Sequence, residues 1–323
     1  MIEEKERILV IADTHLLSKE DVTKKKILKE EGRLSFSEGL LINFFEGKGD
    51  WVRQQYFLEM VRRVNEIKRT NGPFSHLIDL GDATSGSNNQ GLVSSGARKE
   101  RREYNEKINT VFSGMKKRSV WGNHDVGFQD WFTKILNLGW SEGISIKSFN
   151  AAEEMTGPAW DIFKIKKFNF LILNSEIIRA VNTIGSIDYL ERRFFIDKEK
   201  EQRNFIEEAF KEALKEDKDS KFILLIHDPV KLESLWPILE PYTSLIDLTL
   251  AGHLHFATSA RILKKYSRIY RELKLEVVPS PWPWGSWIVK QVTGRNGGGF
   301  VTLEISDSSF EINHHWLFMP DLD

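Results

Sequence analysis

The sequence predicts an α/β fold, and three observations carry that prediction. Short apolar runs of strand length recur along the chain, each closing on polar residues. Stretches of helical periodicity separate most of them. The C-terminal third then changes into further strand-like runs joined by Gly and Pro turns.

The first strand candidate covers residues 8–13 (ILVIAD) and the second residues 76–82 (HLIDLGD). Between them, residues 51–69 carry apolar groups at helical spacing on Tyr56, Phe57, Met60, Val61, Val64 and Ile67. Asp50 stands as an N-cap for this helix and Asn71-Gly72-Pro73 as its stop. Further strand candidates are 118–125 (RSVWGNHD), 168–175 (FNFLILNS), 222–228 (FILLIHD) and 246–255 (IDLTLAGHLH). A second helix over 199–216 places Phe205, Ile206, Ala209, Phe210 and Leu214 on one face. Strands are expected again in 275–292, 298–306 and 310–318, so the chain turns strand-rich from about residue 275. With no internal repeat, low-complexity tract or linker, residues 1–323 read as a single domain. Two stretches exceed the minimal alternation. Residues 17–50 form a long connection of the kind that serves as a lid or binding loop. Residues 83–98 (ATSGSNNQGLVSSGAR) read as a flexible loop just beyond a strand end.

Composition narrows the function classes. A chain of 323 residues with 41% hydrophobic content can bury a large core. Its formal net charge of −1 means that the whole molecule is no electrostatic magnet for nucleic acid or anionic membrane, so any such contact must come from a local patch. The absence of cysteine excludes disulfides and thiolate metal sites. The N-terminus lacks the apolar region of a signal peptide, and no run of about 18 apolar residues forms a membrane segment, so a soluble, cytoplasmic protein is expected.

The chemistry sits where the apolar runs end. The first closes on Asp13-Thr14-His15, the second on Gly81-Asp82, the third on Gly122-Asn123-His124-Asp125. Later runs close on His227 and on Gly252-His253-Leu254-His255. Five of the eight histidines fall at these places. Each fragment alone is an ordinary turn or a lone histidine, but five of them occur in order, each after an apolar run. In an α/β sheet the carboxyl ends of the strands converge on one ligand-binding edge. All these side chains are hard or borderline N and O donors.

This series resembles the motifs of the calcineurin-like metallophosphoesterases, over residues 8 to about 256. The resemblance implies a four-layer α/β/β/α sandwich, two mixed β-sheets flanked by helices, with two metals at the strand ends. It implies that Asp13, His15, Asp82 and His255 hold one metal, and that Asp82, Asn123, His227 and His253 hold the other, with Asp82 bridging. His124 would face the substrate as general acid. Elementary chemistry agrees with that assignment. A shared carboxylate offsets part of the repulsion between two ions, and a neutral Asn ligand leaves the site positive for a phosphate. Two ions about 3.5–4 Å apart can hold a hydroxide and clamp phosphoryl oxygens during in-line displacement. Without thiolates, Mn, Fe, Zn, Co or Ni all suit such a site, manganese among them.

The expected activity is hydrolysis of a phosphoester, with phosphodiesters favoured. Many relatives carry Asp three residues after the Gly-Asp carboxylate, followed by Arg-Gly; here the chain reads Asp82-Ala83-Thr84-Ser85-Gly86, which argues against the protein serine/threonine phosphatase branch. Asp125 is left to orient His124 or to make a structural contact in its turn. The stretch 102–128 also looks somewhat like the ethanolamine-phosphate phosphodiesterases that act on GPI-anchor lipids, although this chain shows no membrane segment. Two alternatives remain. The motif order is similar to that of the double-strand-break repair nuclease of the superfamily, and basic stretches at 98–102 (RKERR) and 261–274 bear on that reading. The latter places Arg261, Lys264, Lys265, Arg268, Arg271 and Lys274 on one helical face, either solvated or a nucleic-acid contact. The other alternative is a non-catalytic binding scaffold on the same fold. Residues 280–287 (SPWPWGSW) offer aromatic rings for packing or for stacking bases.

Overall fold

Strand β1 (Glu6–Ile11) is buried on both faces: Ile8 and Val10 point into one core cluster, Leu9 and Ile11 into another, and all four are fully inaccessible. Period-two alternation with both faces covered marks a central strand between two layers. The computed structural model describes residues 5–16, 49–84, 91–127, 144–182, 189–255, 257–281 and 298–317.

Along these residues follow helix α1 (Gly49–Asn71), strand β2 (His76–Asp79), helix α2 (Ser95–Val111), strand β3 (Lys116–Ser119) and the single turn α3 (Asn123–Val126). Helix α4 (Ile146–Thr156) leads to β4 (Asp161–Ile165), β5 (Phe168–Leu173), α5 (Ser175–Asn182), α6 (Tyr189–Glu216) and β6 (Lys221–Ile226). Helix α7 (Leu232–Leu239), β7 (Ile246–Ala251), α8 (Thr258–Tyr266), α9 (Arg268–Glu272), β8 (Leu275–Val277), β9 (Gly298–Ile305) and β10 (Phe310–Leu317) complete them.

The strands form two five-stranded mixed sheets, ordered β10-β9-β1-β2-β3 and β4-β5-β6-β7-β8. In the first, β1, β2 and β3 run parallel while β9 and β10 are antiparallel. In the second, β5 to β8 run parallel and β4 is antiparallel. One face of each sheet meets the other: Ile8, Val10, Ile78 and Leu303 pack with Phe170, Ile172, Ile223 and Leu250. The outer face of the first sheet is covered by α1 and α2 through Phe57, Met60, Tyr104 and Ile108. The outer face of the second is covered by α6 and α7 through Ile206, Phe210, Leu235 and Leu239. The expected α/β/β/α sandwich is therefore the architecture observed.

Several local expectations need correction. The N-cap expected at Asp50 falls inside the range of α1, and Gly72, with φ of 97°, follows the helix end as expected. The loop expected to run to residue 98 stops sooner, because Ser94 accepts a hydrogen bond from Ala97 N and starts α2. The third strand ends at Ser119, and Asn123 opens a helical turn instead of closing a strand. Helix α6 begins ten residues before the predicted start at 199, since the charged residues of its first turns sit on a solvated surface that periodicity reads as weak. The basic stretch 261–274 is not one helical face: α8 and α9 break at Ser267, whose backbone is extended with φ −134° and ψ 132°. The connection at 17–48, Ser85 and the aromatic run from Trp282 lie outside the described residues.

Candidate metal centre

Five strands that end on one edge deliver the predicted side chains. Asp13 and His15 follow β1, Asp82 follows β2, Asn123 and His124 follow β3, His227 follows β6, and His253 and His255 follow β7. The turns that carry them are unusual. Asp13 (φ 51°), His15 (45°), Asp82 (51°), His253 (63°) and His255 (57°) all sit in the left-handed region, which non-glycine residues rarely occupy. Only Lys166 and Lys274 share that feature among the described non-glycine residues. Such strain persists where surrounding structure enforces it, and it clusters at functional sites.

Backbone hydrogen bonds do the enforcing. Asp13 N donates to Gly81 O, His15 N to Asp82 O and Leu16 N to Ala83 O, each at 3.0 Å, so the β1 and β2 exits stay coupled beyond the sheet. His253 N donates to both carboxylate oxygens of Asp13 at 3.1 and 2.9 Å, tying the second sheet to the first. Ser280 Oγ donates to Asp13 O at 2.7 Å. The glycines of Gly-Asp and Gly-Asn-His-Asp are needed because their turns touch: a Cβ on Gly81 would lie 2.6 Å from Gly122 N, and one on Gly122 would fall on Asp82.

The resulting cluster holds three groups whose donor atoms lie within 4.8 Å of one another: Asp13, His15 and His255; His15, Asp82 and His124; and Asp82, His227 and His253. Asp82 Oδ2 stands 3.2 Å from His227 Nε2, 3.9 Å from His124 Nε2 and 4.0 Å from His15 Nε2. His227 Nε2 is also 3.1 Å from Asn123 Oδ1. Its other nitrogen, Nδ1, lies 2.8 Å from Leu80 O; a carbonyl only accepts, so Nδ1 carries the proton and Nε2 faces the cluster. The rings of His15 and His255 stack at 5.3 Å, and His124 meets His15 edge-on at 4.9 Å. Ligand atoms about 2.1 Å from one ion at right angles stand about 3 Å apart, so the separations of His227 Nε2 from Asp82 Oδ2 and from Asn123 Oδ1 suit neighbouring ligands of one ion. With imidazole, carboxylate and amide donors and no thiolate, these residues fit divalent ions.

The electrostatics point the same way. Burial pushes Asp13 well above the ordinary carboxyl range, with His227 opposing and Asp82 adding to the rise. Burial also pushes Asp82 up, but His227, His124 and His15 outweigh it and hold the carboxyl well below its usual range. Burial alone would lower His227; the charge and hydrogen bond of Asp82, helped by Asp13, raise it to about 10. His253 is pushed down to about 3 by burial and then by the charge of His227. Without ions, therefore, protons neutralise the acidic side of the cluster, and divalent ions can take their place.

Asp125 does not orient His124. Its Oδ2 accepts from Gly122 N at 2.9 Å and its Oδ1 pairs with buried Arg101 at 3.3 Å, the structural contact of the two alternatives. Arg101 belongs to the stretch RKERR, so part of that basic run is an internal strut; its neighbour Arg98 donates to Leu92 O and pairs with Glu154. In the stretch 261–274, Lys264 pairs with Glu276 at 2.8 Å, Lys274 with Asp247 at 2.9 Å and Arg268 with Glu272, while Arg271 donates to Lys264 O. The sequence reading missed Asp228, which pairs with Arg179 at 3.1 Å, and Ser280. The adjacency of Asp228 to His227 was visible; its partner, 49 residues away, was not.

Residues 6–257 match the calcineurin-like phosphoesterase family, and the chain belongs to it. The family accounts for the two mixed sheets and for the donor cluster at their common edge. Among solved structures, vacuolar protein sorting 29 from Cryptosporidium parvum is similar at 11% identity and a TM-score of 0.33, with 97% of this chain and 98% of that chain covered. No curated protein matches the chain. No helix among the described residues is long and apolar enough to cross a membrane.

Proposed function

We propose that this chain hydrolyses phosphodiesters with two divalent ions, one held by Asp13, His15, Asp82 and His255 and the other by Asp82, Asn123, His227 and His253. The observation that carries the reading is the position of Asp82, whose Oδ2 is 4.0 Å from His15 Nε2 and 3.2 Å from His227 Nε2 and which belongs to two of the donor groups. When bound, the ions supply Lewis acidity for the phosphoryl oxygens and a water whose pKa falls towards 7. Every other part of the reaction falls to the chain's own groups. Two carboxylates, Asp13 and Asp82, leave a doubly occupied site net positive for an anionic ester. Asn123 ligates without adding charge. Leu80 O holds the His227 ring in one tautomer and orientation. His124, whose side chain is about a quarter exposed, would protonate the departing oxygen. The preference for diesters rests on the missing Asp-Arg-Gly continuation after Asp82. Manganese fits the donor set, as do iron, zinc, cobalt and nickel. A single domain spanning 1–323 and a cytoplasmic setting belong to the same reading.

One observation favours a second role for His124. It forms a three-residue group with His15 and Asp82, which is how a ligand would stand. Nucleic acid is not the favoured substrate, since the described cations of 261–274 largely serve internal pairs. The test is a metal-reconstituted screen of bis-p-nitrophenyl phosphate, p-nitrophenyl phosphate, cyclic nucleotides, and single- and double-stranded DNA. A higher kcat/KM on the bis ester than on the monoester is expected, and the reverse would overturn the diester assignment.

A further inference from the structure

Beneath the cluster lies a second buried polar group built on α2. Arg101 and Tyr104 are three residues apart and share one helix face, and both are buried. Tyr104 OH donates to Asp79 Oδ2 at 2.7 Å, and the other oxygen, Asp79 Oδ1, accepts from Gly81 N at 3.1 Å. Arg101 Nη1 donates to Asp125 Oδ1 at 3.3 Å, and the other oxygen, Asp125 Oδ2, accepts from Gly122 N at 2.9 Å. The two arms have the same construction: helix side chain, carboxylate, glycine N–H. Each glycine immediately precedes a donor of the cluster, Asp82 in one arm and Asn123 in the other. The arms also meet, because Gly81 and Gly122 are in backbone contact and His124 N donates to Asp82 Oδ1 at 2.8 Å. The guanidinium of Arg101 lies 5.3 Å from the Tyr104 ring centroid, which fixes both side chains relative to each other.

We propose that Arg101 and Tyr104 are positioning residues that set the spacing between Asp82 and Asn123 through Asp79 and Asp125. A purely structural strut would need only to be buried and paired. This one spends both oxygens of each carboxylate on linking a single helix to the two turns that must hold a shared ion. Outer partners of ligands typically change metal affinity about 10–100-fold when removed. The two arms should differ in reach. The Arg101 arm ends at Asn123, which belongs to one ion only. The Tyr104 arm ends at Asp82, which both ions share.

The experiment is a calorimetric titration of metal-free full-length protein with Mn²⁺, together with its thermal midpoint. The double variant Arg101→Met/Asp125→Asn removes both charges together and keeps an acceptor for Gly122 N, so no unpaired charge is left buried. It should weaken one of the two ions about 10–100-fold and leave the other nearly unchanged. Tyr104→Phe removes a single hydroxyl and should weaken both ions. Arg101→Lys, which keeps charge without the planar fork, should fall between wild type and the double variant. Ile108→Val, buried on the same helix, serves as a comparison that lowers the thermal midpoint without changing either affinity. Two ions in wild type with unaltered affinities in Tyr104→Phe and in the double variant would overturn the proposal, as would losses that only track the thermal midpoint as Ile108→Val does. Should the double variant fail to fold, Tyr104→Phe decides alone. The proposal rests on the two-ion reading, and fewer than two ions in wild type would defeat that reading instead.

Discussion

The two sheets contribute unlike halves to one site. The exits of the first sheet carry the cluster's carboxylates and its amide, Asp13, Asp82 and Asn123, with His15 and His124 beside them; the cluster donors at the exits of the second are all imidazoles, His227, His253 and His255. The acidic half is held together by the ladder of backbone bonds between the β1 and β2 exits. The imidazole half is docked onto it through His253 N to Asp13 and His227 Nδ1 to Leu80 O. The difference separates charge from geometry. Changing the acidic half removes what neutralises an ion, whereas changing the imidazole half removes one ligand from a site that is otherwise intact.

The largest effect should come from the acidic half. Asp82→Asn removes the shared carboxylate and should lower kcat/KM on bis-p-nitrophenyl phosphate by about 10³-fold or more, because ion contributions of several kcal/mol are lost. His253→Ala should cost one ion and leave the other measurable by elemental analysis. Equal losses of both ions in the two variants would erase the distinction between the halves.

His124 belongs to neither half as a ligand in the favoured reading. His124→Asn should keep both ions and lose little on nitrophenyl esters, whose leaving group needs no proton. On alkyl esters it should lose about 10²–10⁴-fold. Loss of an ion in this variant would establish the ligand role that its grouping with His15 and Asp82 allows.

Acidity tests how protons and ions compete for the junction between the halves. His227 is raised to about 10 in the fold from an ordinary value of 6.5. Its contribution to the stability of metal-free protein is therefore full below about 6.5 and lost as pH climbs through 10. Asp82 is depressed, so its contribution is present above the ordinary carboxyl value of 3.8 and lost as pH falls through its lowered value. Asp13 is raised and acts in the opposite sense, costing stability above that same ordinary value. Metal binding must displace the His227 proton, so affinity at neutral pH should rise by up to about tenfold per pH unit. A flat affinity between pH 6 and 9 would contradict a His227 that is both protonated in the metal-free fold and a ligand.

The smallest effect should come from outside the site. Replacing Lys264, Arg268 and Arg271 by Glu breaks two surface ion pairs and one surface hydrogen bond that contribute little and should change kcat/KM less than about twofold. Submicromolar DNA binding at about 150 mM salt, lost in this variant, would revive the nuclease reading.

The site was legible in sequence because each donor follows an apolar run, and a parallel sheet brings the ends of such runs to one edge. Asp13, His15, Asp82, Asn123, His227, His253 and His255 are all found there. What stayed illegible depends on partners distant in sequence. Arg101 looked like one more charge in RKERR, and only the fold places Asp125 against it. The break at Ser267 follows from Tyr270 packing into the core, which periodicity of charges does not register. Strand β4 was missed because only Ile165 of its five residues is fully buried, which leaves a weak alternation. The turn at Asn123 reads as strand because the apolar run reaches Trp121, a residue that packs among helices α4 and α6 instead of in a sheet.

The central claim is that two ions share Asp82, and electron paramagnetic resonance of the Mn²⁺-loaded protein tests it most directly. A spin-coupled pair is expected in wild type at two ions per chain, with the coupling lost in Asp82→Asn. Signals of isolated ions in wild type, or an unchanged coupled pair in Asp82→Asn, would contradict the account.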